Sequence, residues 1–110
     1  MNDDMLVKIS ELVQQEQDNA AIKWGKITNS DHESYAVMLE EYEECLEELQ
    51  DIKDFMSDFW GTIRQDCKEP EKMWALKKLS KSCYNLIMEA IQLAGCTEKA
   101  MNSICERGVI

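Results

Sequence analysis

The chain has 110 residues, of which 45% are hydrophobic, and its 22 acidic and 12 basic residues give a formal net charge of -10. This length suits one core, so we expect a single domain over residues 1–110. Such an acidic balance argues against a basic patch for nucleic acid. No run approaches the roughly 18 apolar residues of a membrane span, so we expect no membrane partner.

The five cysteines are odd in number, widely spaced and without a CxxC pair. This pattern is typical of free thiols in a reducing compartment rather than of a disulfide framework. The N-terminal residues also lack a basic segment followed by an apolar run, as a signal peptide would have. We therefore expect a cytoplasmic protein.

Helical periodicity begins near the N-terminus. A first helix is predicted to end at Gly25 and to pack through Leu6, Ile9, Val13, Ala20 and Trp24. Ser30, followed three residues later by Glu33, is a capping-box signature for the start of a second helix.

The second helix is predicted to present a row of residues at alternating spacings of three and four, with glutamates between them. The row comprises Tyr35, Met38, Tyr42, Cys45, Leu49, Ile52, Met56, Phe59 and Ile63. Ser57, Asp58 and Gly61 weaken the helix, which leaves open a break between Met56 and Gly61.

Pro70, the only proline, suits the first turn of a third helix. Its predicted packing row comprises Leu76, Leu79, Cys83, Leu86, Ala90, Leu93, Thr97 and Met101. Alternating strand patterns are missing, so we expect an all-α antiparallel bundle of three to four helices. The long apolar rows also predict a homodimer or homotetramer, with contacts at Phe55, Phe59, Trp60, Ile63 and Trp74.

Polar residues border these rows at matching places. Glu41 and Glu44 on the second helix, and Glu89 and Gln92 on the third, each precede a predicted row position. Three carboxylates and one amide could hold Mg²⁺, which takes oxygen ligands and keeps waters for phosphates. Lys99 lies two turns beyond Gln92 on the same face, where it could meet a phosphate.

Simpler interpretations stand beside these. Glutamate runs on helices are usually solvated, an isolated lysine is usually a surface residue, and Trp24 is more often core than a stacking platform for a base. The chain has one histidine, and it has neither a glycine-rich phosphate loop nor a nucleophile with a base partner.

Three stretches resemble the MazG-like all-α nucleotide pyrophosphohydrolases, especially the small forms of phages and prophages. They are KWG at 23–25, NSDHESYAVMLEEYEE at 29–44 and EAIQLAGCTEKAM at 89–101. The family signature is EExxE followed by ExxD, and Glu40, Glu41 and Glu44 match its first half. Gln92 replaces the aspartate of the second half, and the gap between the halves is longer than in compact members.

The resemblance implies Mg²⁺, with Mn²⁺ as an alternative, and cleavage of (d)NTP to (d)NMP and pyrophosphate. Active members use the metal to activate a water that attacks the α-phosphorus. Catalysis would then depend on Glu41 and Glu44, within a ligand set of Glu40, Glu41, Glu44, Glu89 and Gln92. By the same resemblance Lys23 and Trp24 would line the nucleotide pocket and Lys99 would meet the phosphates.

Two other functions remain open from the sequence. Gln92 favours a protein that binds a nucleotide on the same scaffold without cleaving it. The net charge and the run from Glu40 to Glu48 favour an acidic helical interaction protein or inhibitor.

Overall fold

A computed structural model describes residues 3–108 as three helices: α1 (Asp3–Trp24), α2 (Asp31–Arg64) and α3 (Glu69–Glu106). These residues contain no strand, which confirms the all-α prediction. None of the three helices is both long enough and apolar enough to cross a membrane.

The predicted helix boundaries are confirmed at both connections. Gly25 has a φ of 88°, and its N–H donates to the Ala21 carbonyl at 3.0 Å, so it ends α1 in the left-handed conformation that glycine tolerates. At the start of α2, the backbone N–H of Glu33 donates to Ser30 Oγ at 3.1 Å. The Glu33 carboxylate accepts from the backbone N–H of Asn29, the residue before the cap, at 3.4 Å.

The second helix is unbroken. α2 runs for 34 residues through Ser57, Asp58 and Gly61, so the break that the sequence left open does not occur. A short turn follows, in which Asp66 has a φ of 51°, and Pro70 lies in the first turn of α3 as predicted.

The chain divides into two compact units that share α2 and α3. Of the described residues, the first unit comprises 3–42 and 89–108, and thus α1, the start of α2 and the end of α3. The second unit comprises residues 43–88, a hairpin made from the rest of α2 and α3.

Each of the two long helices has an inward row in which every residue is buried or half-buried. On α2 the row is Ser34, Met38, Glu41, Cys45, Glu48, Ile52, Phe55, Phe59 and Thr62. On α3 it is Lys72, Ala75, Leu79, Ser82, Leu86, Glu89, Leu93, Cys96, Ala100 and Ser103. Both rows alternate spacings of three and four, so each keeps one face inward along its whole length.

These rows correct the predicted ones at every second position. The prediction placed Tyr35, Tyr42, Leu49, Met56 and Ile63 on α2, and Leu76, Ala90, Thr97 and Met101 on α3, all of which are exposed. In each case the residue that faces inward is the one directly before the predicted residue in the sequence. The apolar arc of each helix is wider than one row, so periodicity alone does not distinguish its centre from its edge.

In the first unit, α1 packs through fewer residues than expected. Ile9, Val13 and Ala20 are buried or half-buried as predicted, whereas Leu6 is exposed and Trp24 is 70% exposed. Gly95 of α3 is buried, and a Cβ there would lie 3.6 Å from the Glu16 Cγ of α1. That distance is an ordinary van der Waals contact, so the polar side chains of α1 pack directly on α3 at this position.

A buried group of hydroxyls fastens the loop before α2 to the end of α3. The backbone N–H of Thr28 donates to Ser103 Oγ at 2.8 Å, and the Thr28 hydroxyl bonds to both Ser34 and Ser103. Ser103 Oγ in turn donates to the Lys99 carbonyl at 2.8 Å. Because all three hydroxyl residues are buried, water cannot replace these bonds without opening the unit.

Replacing Ser103 by alanine should therefore destabilise the protein. The change removes the acceptor of a buried backbone N–H, and an unsatisfied buried group costs about 1–3 kcal/mol. Ser80→Ala is the matched control, since Ser80 is an exposed serine of the same helix. Chemical denaturation should show a clear loss for the first variant and almost none for the second. Equal effects would contradict the role of the hydroxyl group.

Two glycines should respond in opposite ways to alanine. Gly61 lies inside α2 with nothing within 4 Å of an added Cβ, so Gly61→Ala should stabilise by about 1 kcal/mol. Gly25 has equal space but a positive φ, so Gly25→Ala should destabilise by about 1–2 kcal/mol. Thermal melts of both variants test whether backbone conformation, rather than space, decides the sign.

Candidate metal centre

The inward rows bring carboxylates of two helices together. Glu41 of α2 and Glu89 of α3 are half-buried, and one carboxylate oxygen of each lies within 4.8 Å of one of the other. Glu44 lies one turn further along α2, exposed, and brings an oxygen within the same distance of Glu41. We refer to Glu41, Glu44 and Glu89 as the acidic cluster. These are the three carboxylates that the sequence predicted would meet.

Gln92 bridges the two half-buried members of the cluster. In the amide orientation that satisfies its surroundings, Gln92 Nε2 donates to Glu41 Oε2 at 3.0 Å and to Glu89 Oε2 at 3.1 Å. Carboxylates this close repel each other when both are ionised, and an N–H donor shared between them reduces that repulsion. In this arrangement Gln92 supplies a donor to the cluster rather than a ligand oxygen.

The chemistry of the donor set fits a hard divalent cation. Three carboxylates offer oxygen ligands only, which Mg²⁺ and Mn²⁺ accept readily, whereas no histidine or thiol belongs to the cluster. The side chain of Gln92 also carries an amide oxygen, which a half-turn of the amide would exchange with the nitrogen. The cluster can therefore present three charged ligands and, after that rotation, a neutral fourth.

The other predicted site residues lie outside the cluster. Glu40 is exposed on α2, and Lys99 is half-buried on α3. Lys23 and Trp24 are both exposed at the end of α1, where Lys23 Nζ lies 5.1 Å from the centre of the Trp24 ring. This pair is within the distance of a cation–π interaction. Trp24 is therefore not a core residue, which was the simpler interpretation of its sequence.

Glu48 is a residue that the sequence analysis did not single out. It occupies the inward row of α2 seven residues after Glu41, and its Oε2 is buried without a hydrogen-bond partner. A buried carboxylate oxygen without a partner is uncommon in folded proteins. Its position in the run of glutamates gave no signal, because the predicted row assigned Leu49 to the inward face instead.

The pKa of the Cys96 thiol depends on its burial in the first unit and on nearby charges, including that of Glu41. The pKa of its thiol is raised, first because burial disfavours the thiolate, and then because of the negative charges of Glu41 and Glu16. Lys99 acts in the opposite direction. The half-buried thiol therefore has neighbours of both signs, with the acidic ones dominant.

A groove of about 630 Å³ lies in the hairpin unit, away from every predicted site residue. Its lining includes Asp58, Gly61, Thr62, Glu71 and Trp74. None of the residues of the acidic cluster contributes to it. The groove is therefore separate from the acidic cluster, whose side chains are the candidate metal ligands.

Comparison with protein-family models, with curated proteins and with solved structures finds no match.

The thiols should differ in reactivity according to burial. The five cysteines, all within the described residues, form no disulfide; Cys45 is buried and Cys105 is exposed. Since the thiolate is the nucleophile, the raised pKa of Cys96 should make it react with iodoacetamide at pH 8 several-fold more slowly than Cys105. Peptide mass spectrometry over time checks the order. Equal rates in the folded protein would contradict it, and equal rates in denaturant are the expected control.

Proposed function

We propose that the acidic cluster binds Mg²⁺ or Mn²⁺ and that the chain is a MazG-like nucleotide pyrophosphohydrolase, cleaving (d)NTP to (d)NMP and pyrophosphate. The observation that supports this proposal is that Glu41, Glu44 and Glu89 lie together, with carboxylate oxygens close enough to share a cation. Glu89 of α3 is at least 45 residues along the chain from the two glutamates of α2. These carboxylates also coincide with the family signature.

Because the protein is strongly negative, binding a triphosphate substrate would require a cation. A triphosphate is repelled by a chain of net charge -10 and by three neighbouring carboxylates. When bound, a divalent metal would neutralise phosphate charge and lower the pKa of a water molecule. Glu41, Glu44 and Glu89 would hold it, and Glu40 would be an outer ligand or an orienting group.

The remaining roles belong to side chains of the first unit. Gln92 fixes the orientation of Glu41 and Glu89 through its two hydrogen bonds. Lys99 is the cation of α3 proposed to meet the phosphates, and Lys23 and Trp24 are proposed to contact the nucleotide. Trp24 presents an exposed aromatic surface on which a base can stack, in contrast to a buried core tryptophan.

The hydrogen bonds of Gln92 favour a second candidate function. An aspartate at this position would add a carboxylate, whereas the Gln92 amide stabilises the pair Glu41 and Glu89 as a donor. A weaker metal site on the same scaffold would suit a protein that binds nucleotides without cleaving them. An acidic interaction protein without metal is the remaining alternative, and metal titration distinguishes it from both.

Titration calorimetry with MnCl₂ and MgCl₂, with and without a non-hydrolysable triphosphate, tests the metal site. Glu41→Gln and Glu89→Gln should each weaken metal binding at least about tenfold, or ~1.4 kcal/mol, because each removes a charged ligand. Glu47→Gln is the matched control, since Glu47 is an exposed glutamate of α2 outside the cluster. The wild type without any divalent-metal binding would contradict the proposal and favour the interaction protein.

Activity is measured separately as pyrophosphate release over a panel of nucleoside triphosphates. We expect release by the wild type and its loss in Glu41→Gln and Glu44→Gln, with the helical circular dichroism signal preserved. Gln92→Asp should tighten metal binding and raise the rate, and it should lower the stability of the metal-free protein through added repulsion. Metal binding without release in either form would identify the non-cleaving binding protein.

A further inference from the structure

The groove of the hairpin unit has the size of a small-molecule binding site. Its volume is about 630 Å³, and it is lined by both helices and by the turn between them. Asp58 and Gly61 of α2 belong to the lining, together with Pro70, Glu71 and Trp74 of α3. Every lining residue lies within the hairpin unit, so one compact unit contains the whole groove.

The groove carries negative charge that the chain does not neutralise. In the part of the chain that the structure describes, neither Asp58 nor Glu71 forms an ion pair. Lys72, the residue next to Glu71, pairs instead with Glu69 at 3.9 Å. No lysine or arginine belongs to the lining. The groove therefore presents two negative charges, one from each helix, and no positive charge.

Trp74 gives the groove an aromatic surface that attracts cations. It is 54% exposed, and Lys78 Nζ lies 5.2 Å from the centre of its ring. That distance is within the range of a cation–π interaction. An indole ring has two faces, and Lys78 is not part of the lining, so the same ring can also contact a cation in the groove.

This combination fits an organic cation better than a metal ion. Divalent metals take several oxygen ligands, and the acidic cluster is the one group of three or more potential metal ligands found among the described residues. Pro70, Trp74 and the buried Ala75 add apolar surface, which suits a hydrocarbon chain rather than a hydrated ion. Two carboxylates in one groove also favour a ligand with two positive charges.

We propose that the groove binds a small aliphatic polyamine. Two ammonium groups pair with Asp58 and Glu71, and the methylene chain between them lies against Trp74 and Pro70. A polyamine carries both charges on one molecule, whereas one lysine side chain of a peptide carries a single charge. The net charge of -10 further raises the concentration of such cations near the protein.

The groove also bears on the contacts that the sequence predicted for a homo-oligomer. Phe55 and Phe59 are not available for such contacts, because both lie in the inward row, and Trp74 lines the groove. Trp60 and Ile63 are exposed and stay predicted contacts. The polyamine proposal is independent of the metal site, since no residue of the acidic cluster lines the groove.

Titration calorimetry of the full chain with spermidine at low ionic strength tests the proposal. We expect saturable binding with a dissociation constant between about 10 μM and 1 mM. The indole N–H resonance of Trp74, identified by its loss in Trp74→Leu, should shift on binding. Butanediol, an aliphatic chain without charge, should not bind.

Substitutions in the groove should change the affinity in both directions. Asp58→Asn and Glu71→Gln should each weaken spermidine binding at least about threefold, since each removes one ion pair. Lys78→Gln should tighten it, because the change removes a competing cation from the Trp74 ring. Gly61→Leu should block the groove and keep the helix, since nothing lies within 4 Å of a Cβ added there and leucine favours helix.

Asp51→Asn is the matched control, because Asp51 is an exposed carboxylate of α2 outside the groove and its loss changes the net charge equally. It should leave the affinity almost unchanged. Absence of spermidine binding to the wild type would overturn the proposal. So would equal effects of Asp51→Asn and Asp58→Asn, which would indicate general attraction to an acidic surface, or unchanged binding by Gly61→Leu.

Two further outcomes would assign the groove to another occupant and thus also overturn the proposal. A lysine-rich peptide that binds more tightly than spermidine would indicate a segment of a partner protein. A spermidine affinity that falls as the protein concentration rises would indicate that a second copy of the chain covers the groove.

Discussion

Glu41 and Glu89 occupy inward rows in which most other members are apolar or small, and this placement constrains the rest of the first unit. Two half-buried carboxylates within 4.8 Å repel each other unless a nearby group offsets the repulsion. Gln92 supplies one such group through its two hydrogen bonds, and a divalent cation would supply a stronger one. Burial raises the pKa of the Cys96 thiol, and the negative charge of Glu41 raises it further.

Small and hydroxyl side chains recur along the inward row of α3. Along α3, every second inward position, spaced by seven residues, is Ala75, Ser82, Glu89, Cys96 or Ser103, all small except the glutamate. Small residues let helices approach closely, and the Thr28, Ser34 and Ser103 hydroxyls then lock the loop before α2 against α3. The first unit thus obtains its order from polar bonds and close backbone approach, with Val13 as its one buried large aliphatic side chain among the described residues.

The hairpin unit is built from the same two helices, but its polar and apolar side chains are distributed differently. The residues that directly precede its inward positions are mostly charged, whereas those that directly follow them are mostly apolar on both helices. On that apolar side, Leu49, Met56 and Trp60 are all exposed in the part of the chain that the structure describes.

Much of this organisation was determined by the sequence itself. Capping by Ser30 and Glu33, termination at Gly25 and the position of Pro70 are local effects of backbone conformation and hydrogen bonding, so the helices and their ends could be predicted. The meeting of Glu41, Glu44 and Glu89 could also be predicted, because matched spacing on antiparallel helices brings equivalent positions together.

Tertiary structure alone decided which of two adjacent rows faces inward. Tyr42 and Leu49 are as hydrophobic as the residues around them, so only packing showed that Glu41 and Glu48 are the inward residues and that the neighbouring row stays exposed. The bridging role of Gln92 was also beyond the sequence, because it depends on the distance between side chains of two helices.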